Sequence, residues 1–437
     1  MRVALVQLGC PKNLVDGEWI LGQIRAAGHI ITTDEDADVV IVNTCGFIDA
    51  AKEESVNSIL AAAELKRLGK IKKLIVAGCL VQRYKDDLRK EIPEIDGFIP
   101  LSVLGEAVRL LEAPDLGAPL GAQPALYDGV APRLLSTPPH MAFVKISEGC
   151  DHPCAFCSIP SIKGAQRSRT VQSVVSEVRR LADGGVREIL LIAQDTTDYG
   201  RDIGIEDGLA FLLDSLEGVK PLRWVRVLYT YPNRLTPRIL DAMARSTKVV
   251  PYLDLPLQHS HPEILAAMKR GGSGDSFLRL IERARAALQG LAVRSAFIVG
   301  FPGEKRSHFL HLLDFIREAR MDHVGVFTYS REEGTEAYTL GDPVDRRTKA
   351  RRRDTLLEVQ QAISLAKHEA LMGKKVKVMV DGVCEETEFL LQGRMATQAP
   401  EIDGRVLIND GFAKPGTIVT VKVEQVGPYD LVGPIVR

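Results

Sequence analysis

The sequence predicts an α/β protein in three parts: an N-terminal parallel α/β sheet, a central partial (βα) barrel with six strands, and a small C-terminal antiparallel β-barrel. Three observations predict it. Short β-branched apolar runs alternate with helical periods over residues 1–112. The alternation recurs six times over 141–368, with units of the length that barrels use. From 369 to 437 the helical periods stop, and short strands separated by Gly, Asn and Asp turns take over.

In the first part, strands are expected at 3–7, 39–43 and 74–77, and helices at 14–27, 50–68, 82–90 and 103–111. Residues 113–140 are rich in Pro and Gly, lose the periodicity and are expected to be a linker that ends at Pro138-Pro139. Barrel strands are expected at 142–147, 188–193, 224–229, 250–255, 293–299 and 323–328. The helices between them fall at 171–184, 207–216, 236–245, 262–270, 276–288 and 305–320. A basic helix over 346–371 leads away, and its run "RRTKARRRD" reads as a solvated face. The stretches "KKVKVMVDG", "LLQGRMATQ", "RVLIND" and "GTIVTVKVEQVG" supply the last strands, and Cys384 among them reads as structural.

The totals exclude several classes. Lys and Arg number 56 against 57 Asp and Glu, so a net charge of −1 gives no global pull toward nucleic acid or membrane. No apolar run is long enough to span a bilayer. The chain opens directly on a strand pattern, so a cytoplasmic, reducing setting is the expectation. Seven cysteines in 437 residues are too few for a disulfide scaffold, and their placement carries the information.

Cys10, Cys45 and Cys79 each follow one of the first three predicted strands. The carboxyl ends of parallel strands share one edge, where ligands are held, so these distant cysteines converge. The alternative is three buried core thiols. Cys150, Cys154 and Cys157 form a compact CxxxCxxC loop after the first barrel strand, the end from which barrels draw their reactive loops. Three thiolates hold three irons of a four-iron cluster and leave the fourth iron open to an outside ligand. Zinc is the competitor, with His152 as fourth ligand, but its spacing to Cys150 and Cys154 is tight for zinc, and His152 reads as a polar loop residue.

A CxxxCxxC loop after the first strand of a βα barrel resembles the radical S-adenosylmethionine (SAM) superfamily. The resemblance implies that SAM chelates the open iron and that cleavage of SAM yields a 5′-deoxyadenosyl radical. Across the whole chain, the three-cysteine α/β domain, the barrel and the final β domain resemble the methylthiotransferases, whose last domain is called TRAM. That similarity implies two 4Fe-4S clusters, the first on Cys10, Cys45 and Cys79, the second on Cys150, Cys154 and Cys157. It also implies a reaction that replaces a substrate C–H by C–S–CH3, and a reducing electron donor. The stretches "LGCPKNLVDGE" (8–18), "KISEGCDHPCAFCSIPSIKG" (145–164), "AQDTTDYG" (193–200) and "DLPLQHS" (254–260) resemble the branch that modifies the β-carbon of an aspartate in small-subunit ribosomal protein S-twelve. The tRNA adenosine branch typically has Gln in place of Pro11 and Asn in place of Asp195. Gly17 and Lys163 depart from the resembled pattern, which has Ser and Arg there.

Charge offers an independent check. Residues 369–437 carry eight basic and ten acidic side chains, a net charge of −2. A tRNA-gripping domain should carry a basic surplus, so nucleic-acid contact is expected to be at most secondary, with the ribosomal protein or small ribosomal subunit as partner. Gln194, Gln258 and Gly300 stand at the active ends of barrel strands and are expected to touch SAM. Strand-end hydrogen bonding for the glutamines, and a turn needing positive φ at Gly300 and Gly303, are the alternatives. "GGSG" (271–274) lacks the ending of a phosphate loop and reads as a turn before a helix. A different class remains open on these residues, an iron–sulfur electron carrier or a zinc-stabilised binding protein.

Overall fold

The computed structural model describes residues 1–113 and 123–436; of the expected linker 113–140, residues 114–122 lie outside the described residues. The first part is a five-stranded parallel sheet in the order Ile30–Ile31, Arg2–Gln7, Val39–Thr44, Lys73–Gly78, Gly97–Ile99. Val39–Thr44 lies in the middle and is buried throughout, as a parallel strand covered on both faces must be. The two edge strands, of two and three residues, are too short to show periodicity, and the sequence reading missed them. The helix expected at 103–111 is instead a 3-10 turn, Leu101–Glu106, followed by a short helix, Ala107–Glu112. Val103 breaks the run, with φ −124° and ψ 26°.

The helix Pro11–Ala26 joins this sheet to the barrel. It is buried on most of its circumference and carries Lys12, Asn13, Asp16 and Glu18 inward alongside Val15, Trp19 and Ile20. Polar residues at such sites need partners, and Asn13, Asp16 and Glu18 find them in other parts of the chain. Glu18 accepts from Arg133 at 2.5 Å and from Ser136 at 2.7 Å, both on the segment that precedes the barrel, and Arg133 also reaches Glu177 at 2.7 Å. At Gly17, where Ser was expected, an added Cβ would lie 2.2 Å from Gln7 Oε1, so a side chain there requires Gln7 to swing aside.

The barrel is open. Its strands Met141–Lys145, Glu188–Ile192 and Trp224–Val227 form one parallel sheet; Tyr252–Asp254, Ala292–Val299 and His323–Thr328 form another. A bridge between Val225 and Val249 links the two. Side chains alternate across the strands. Ala142, Val144, Ile189 and Leu191 pack outward against the helices. Phe143, Leu190, Ile192 and Tyr252 face inward, where they meet Leu14 and Val15 of the first helix and Met379 and Ala399 of the C-terminal part. A two-stranded antiparallel ribbon, Ser147–Glu148 with Arg167–Ser168, brackets the compact cysteine loop. "GGSG" is a helix entry, with Ser273 forming a capping box ahead of Gly274–Ala287.

The C-terminal part is a curled six-stranded sheet, mostly antiparallel. As expected it is built mainly of antiparallel pairs, and one pairing, of Val406–Ile408 with Leu431–Gly433, is parallel. It docks on the amino ends of the barrel strands. Arg394 pairs with Glu188 at 2.8 Å, and Asp403 with the Tyr252 hydroxyl at 2.7 Å; Glu188 and Tyr252 each begin a strand. The opposite, carboxyl ends face the first helix, because Lys145, the last residue of its strand, bonds Asp16. Among the described residues, no helix is long and apolar enough to cross a membrane.

Candidate functional site

Cys10 caps the first helix just past Arg2–Gln7. Cys45 follows Val39–Thr44, and Cys79 opens the helix Cys79–Glu91 directly after Lys73–Gly78. These three strands are neighbours in the sheet, so the three cysteines share one edge. Asn13 fastens the turns together: its Nδ2 donates to Leu8 O at 2.7 Å and Thr44 O at 3.2 Å, and its carbonyl accepts from Asn43 at 2.9 Å. The thiols sense one another. Burial pushes Cys79 up to about 12; Lys163 opposes this, and Cys10 and Cys45 add to it. Burial also raises Cys45, against a backbone N–H from Phe47.

The compact loop is held as tightly. Burial pushes Cys150 up to about 12 against the N–H of His152, and Cys157 up to about 11 against the N–H of Ile159. Arg270 Nη1 donates to Cys154 Sγ at 3.6 Å. The guanidinium of Arg270 lies 4.3 Å from the Tyr231 ring, and His152 stacks on the same ring at 3.9 Å. His152 Nε2 also meets Asp195 at 2.6 Å. The sequence reading took His152 for a simple polar loop residue, and the structure corrects that: the imidazole is committed to Asp195 and Tyr231.

A metal centre would suit both triplets. Buried thiols that resist losing protons to water give them up to a metal, and N–H donors to sulfur are a feature that tunes iron–sulfur sites. A single zinc fits less well. Zn–S bonds of about 2.3 Å would hold sulfurs within roughly 4.6 Å of each other. Among the described residues, the groups with all ligand atoms within 4.8 Å are His261/Glu263/His308 and His152/Asp195/Asp198, and neither contains a cysteine.

The two triplets also share a lining. Lys163, six residues after Cys157, acts electrostatically on Cys79 and Cys10. Lys12, two residues after Cys10, acts on Cys157. Its Nζ sits 3.3 Å from the centre of the Tyr229 ring. Tyr229 and Gln258 hold left-handed backbones, with φ of +61° and +71°, at the carboxyl ends of their strands. Strained non-glycine residues of this kind gather at functional sites.

The residues expected to touch SAM part company. Gln194 and Gln258 are half-buried, and neither side chain hydrogen-bonds within the described residues. Gly300 has reasons of its own to be glycine. Its φ is +75°, an added Cβ would lie 2.4 Å from Lys349 Cγ, and its N–H donates to Glu304. Cys384 is buried in the C-terminal sheet, within the strand Lys375–Cys384. Lys12, Tyr229, Tyr231 and Arg270 were not singled out from the sequence, and Asp195 only as a mark of the family branch, since their partners come from distant segments.

Gly149 supports a first prediction. Its φ is +78°, and an added Cβ would lie 2.0 Å from Ala165 O, where Cys150 N also reaches Gly164 O at 3.1 Å. Gly149→Ala must move one side of the cysteine loop. Iron analysis after anaerobic reconstitution should find the compact triplet's share lost, while far-UV circular dichroism retains the barrel.

Comparison with known proteins agrees with this anatomy. Residues 2–100 match the family described as "Uncharacterized protein family UPF0004", residues 144–316 the radical SAM superfamily, and residues 372–436 the TRAM domain. A protein of Solibacter usitatus (strain Ellin6076), "Ribosomal protein uS12 methylthiotransferase RimO", is 50% identical over 440 residues, covering 99% of this chain and 94% of its own. A protein of the same name from Anaeromyxobacter sp. (strain K) is 46% identical over 437 residues, covering 100% and 93%. Among solved structures, the radical SAM methyltransferase TsrM from Kitasatospora setae, with cobalamin and a [4Fe-4S] cluster bound, matches with a TM-score of 0.57 at 14% identity, over 77% of this chain and 73% of that one. That likeness is one of fold. At near-complete coverage and this level of identity, the chain belongs to the family of RimO methylthiotransferases.

Proposed function

We propose that this protein adds a methylthio group to the β-carbon of an aspartate in small-subunit ribosomal protein uS12. One 4Fe-4S cluster would be held by Cys150, Cys154 and Cys157, and a second by Cys10, Cys45 and Cys79. The observation that supports the reading is that the first helix, which Cys10 caps, is bonded to the barrel beside the compact cysteine loop, with Lys12 over the Tyr229 ring and Asp16 paired with Lys163 at 3.3 Å. When bound, the clusters and SAM supply the electron transfer, the hydrogen-abstracting radical and the methylthio group.

The chain's own residues bind, orient and shield. Arg270 and the His152–Asp195 pair set the cysteine loop. The first helix and the apolar barrel interior close the chamber to water from below. Gln194 and Gln258 bring free amides to the edge where SAM would lie. The protein works in the cytoplasm with a reducing electron donor.

The tRNA reading is not favoured. The C-terminal part carries net negative charge, and two of its arginines are spent internally, Arg394 on Glu188 and Asp381, and Arg405 on Glu386. Anaerobic incubation with SAM, a strong reductant and purified ribosomal protein should add the mass of a methylthio group replacing hydrogen on one aspartate. An increment found on tRNA and none on the ribosomal protein would reverse the assignment.

A further inference from the structure

We propose that Lys12 is the residue that selects the substrate, by pairing with the carboxylate attached to the carbon being modified. The assignment rests on the function proposed above. Lys12 is only 8% exposed. Five other buried cations, Lys145, Lys163, Arg133, Arg169 and Arg226, each have a carboxylate within 3.3 Å, and buried Arg270 donates instead to Pro256 O and Cys154 Sγ. Lys12 has no such carboxylate among the described residues. Its one close partner is the face of Tyr229, at 3.3 Å.

A ring face offsets only part of what desolvating an unpaired ammonium costs. The chain therefore holds a positive charge in a place that lacks its anion. That place is on the first helix two residues past Cys10, over the Tyr229 ring at the carboxyl end of a barrel strand, and the charge of Lys12 also bears on Cys157. The backbone of Tyr229 is held in a left-handed conformation there, and its N–H donates to Asp254 Oδ2 at 2.8 Å.

A carbon that is to lose hydrogen on one side and gain sulfur on the other must lie between the two triplets. In an aspartate, the β-carbon carries the side-chain carboxylate one bond away. Bringing that carbon into the chamber strips water from the carboxylate, and the unpaired ammonium replaces it. A neutral asparagine of the same shape would leave Lys12 unpaired, so the chamber rejects it. This is discrimination by an unsatisfied polar group, the strongest kind a pocket has.

The test compares wild type, Lys12→Gln and Lys12→Arg on two substrates, the ribosomal protein and its variant with the target aspartate changed to asparagine. Methylthio incorporation is read by mass spectrometry, and binding of both substrates to the anaerobically loaded protein by fluorescence anisotropy. Wild type should prefer aspartate in both readouts. Lys12→Gln should weaken aspartate binding about tenfold to a hundredfold, the scale of one charged hydrogen bond, and change asparagine binding less than about threefold by the same logic. Lys12→Arg should keep part of the preference. If Lys12→Gln binds and modifies with the wild-type preference, Lys12 serves the clusters or SAM, and the inference is overturned while the function stands. If wild type modifies neither protein, the function and this inference fall together.

Discussion

Replacing Cys150, Cys154 and Cys157 together by Ala is expected to reduce SAM cleavage to background and to remove about half of the reconstituted iron. The reason is geometric. Those three sulfurs sit in one loop, bracketed by the ribbon of Ser147–Glu148 with Arg167–Ser168 and braced by Arg270, and the spread triplet belongs to a separate sheet with its own anchor at Asn13. The two sites are thus assembled by different hydrogen bonds, and loss of one need not unmake the other. The complementary variant, with Cys10, Cys45 and Cys79 changed to Ala, should lose the other half of the iron and all methylthio product, while 5′-deoxyadenosine continues to form. Iron and sulfide analysis, with chromatography of the SAM products, separates the two. Should the compact-loop variant still cleave SAM, the roles assigned to the triplets are wrong. Should it lose all iron, the sites are not independent.

Much of this was legible in the sequence, and the reason is that the relevant signals are local. The strands at 188–193, 293–299 and 323–328 stand as Glu188–Ile192, Ala292–Val299 and His323–Thr328, because apolar runs bounded by turns announce themselves within a window of a few residues. The cysteines were legible for the same reason: each lies just beyond a strand, and a parallel sheet turns that local fact into a spatial one. What escaped depends on partners far along the chain. His152 looks like any polar loop residue until Asp195, 43 positions on, is found 2.6 Å away. Val406–Ile408 and Leu431–Gly433 could pair either way as far as their composition goes; only the path of the intervening chain makes them parallel. Tyr229 and Gln258 have left-handed backbones that no residue preference announces. The expected helix at 14–27 leaves Lys12 outside it and gives Asp16 no role, whereas the helix Pro11–Ala26 is buried on most of its circumference and carries both charges inward.

That joint yields the second large effect. Asp16 lies between Lys145 and Lys163, and Glu148 faces the same two ammonium groups; all four side chains are at most 3% exposed. Two positive and two negative charges balance, and none is near water. Burial by itself would raise Glu148, but Lys145 and then Lys163 more than offset it and hold the carboxyl down at about 2. Removing one member of such a set leaves a buried charge without its counterpart, which costs about 3–5 kcal/mol. Asp16→Asn should therefore lower the free energy of unfolding by that amount, read from the denaturation curve, with the loss concentrated where the first helix meets the barrel, visible as faster amide exchange over Pro11–Ala26. Pairing it with Lys145→Met restores neutrality and should recover most of the loss, because an apolar isostere serves a buried site as well as an ion pair. The pH dependence has a definite sign. A carboxyl whose folded value lies below its ordinary 4.5 contributes stability that is complete above 4.5 and is lost as pH falls toward 2. Acid titration of the wild type should thus loosen the helix–barrel joint in that window, and Glu148→Gln, which has no such proton to take up, should remove that part of the slope. A single Asp16→Asn variant as stable as wild type at neutral pH would show that the four charges do not hold the two domains together, and that the first helix is kept in register by the apolar contacts of Leu14 and Val15 and by the bonds of Glu18 to Arg133 and Ser136.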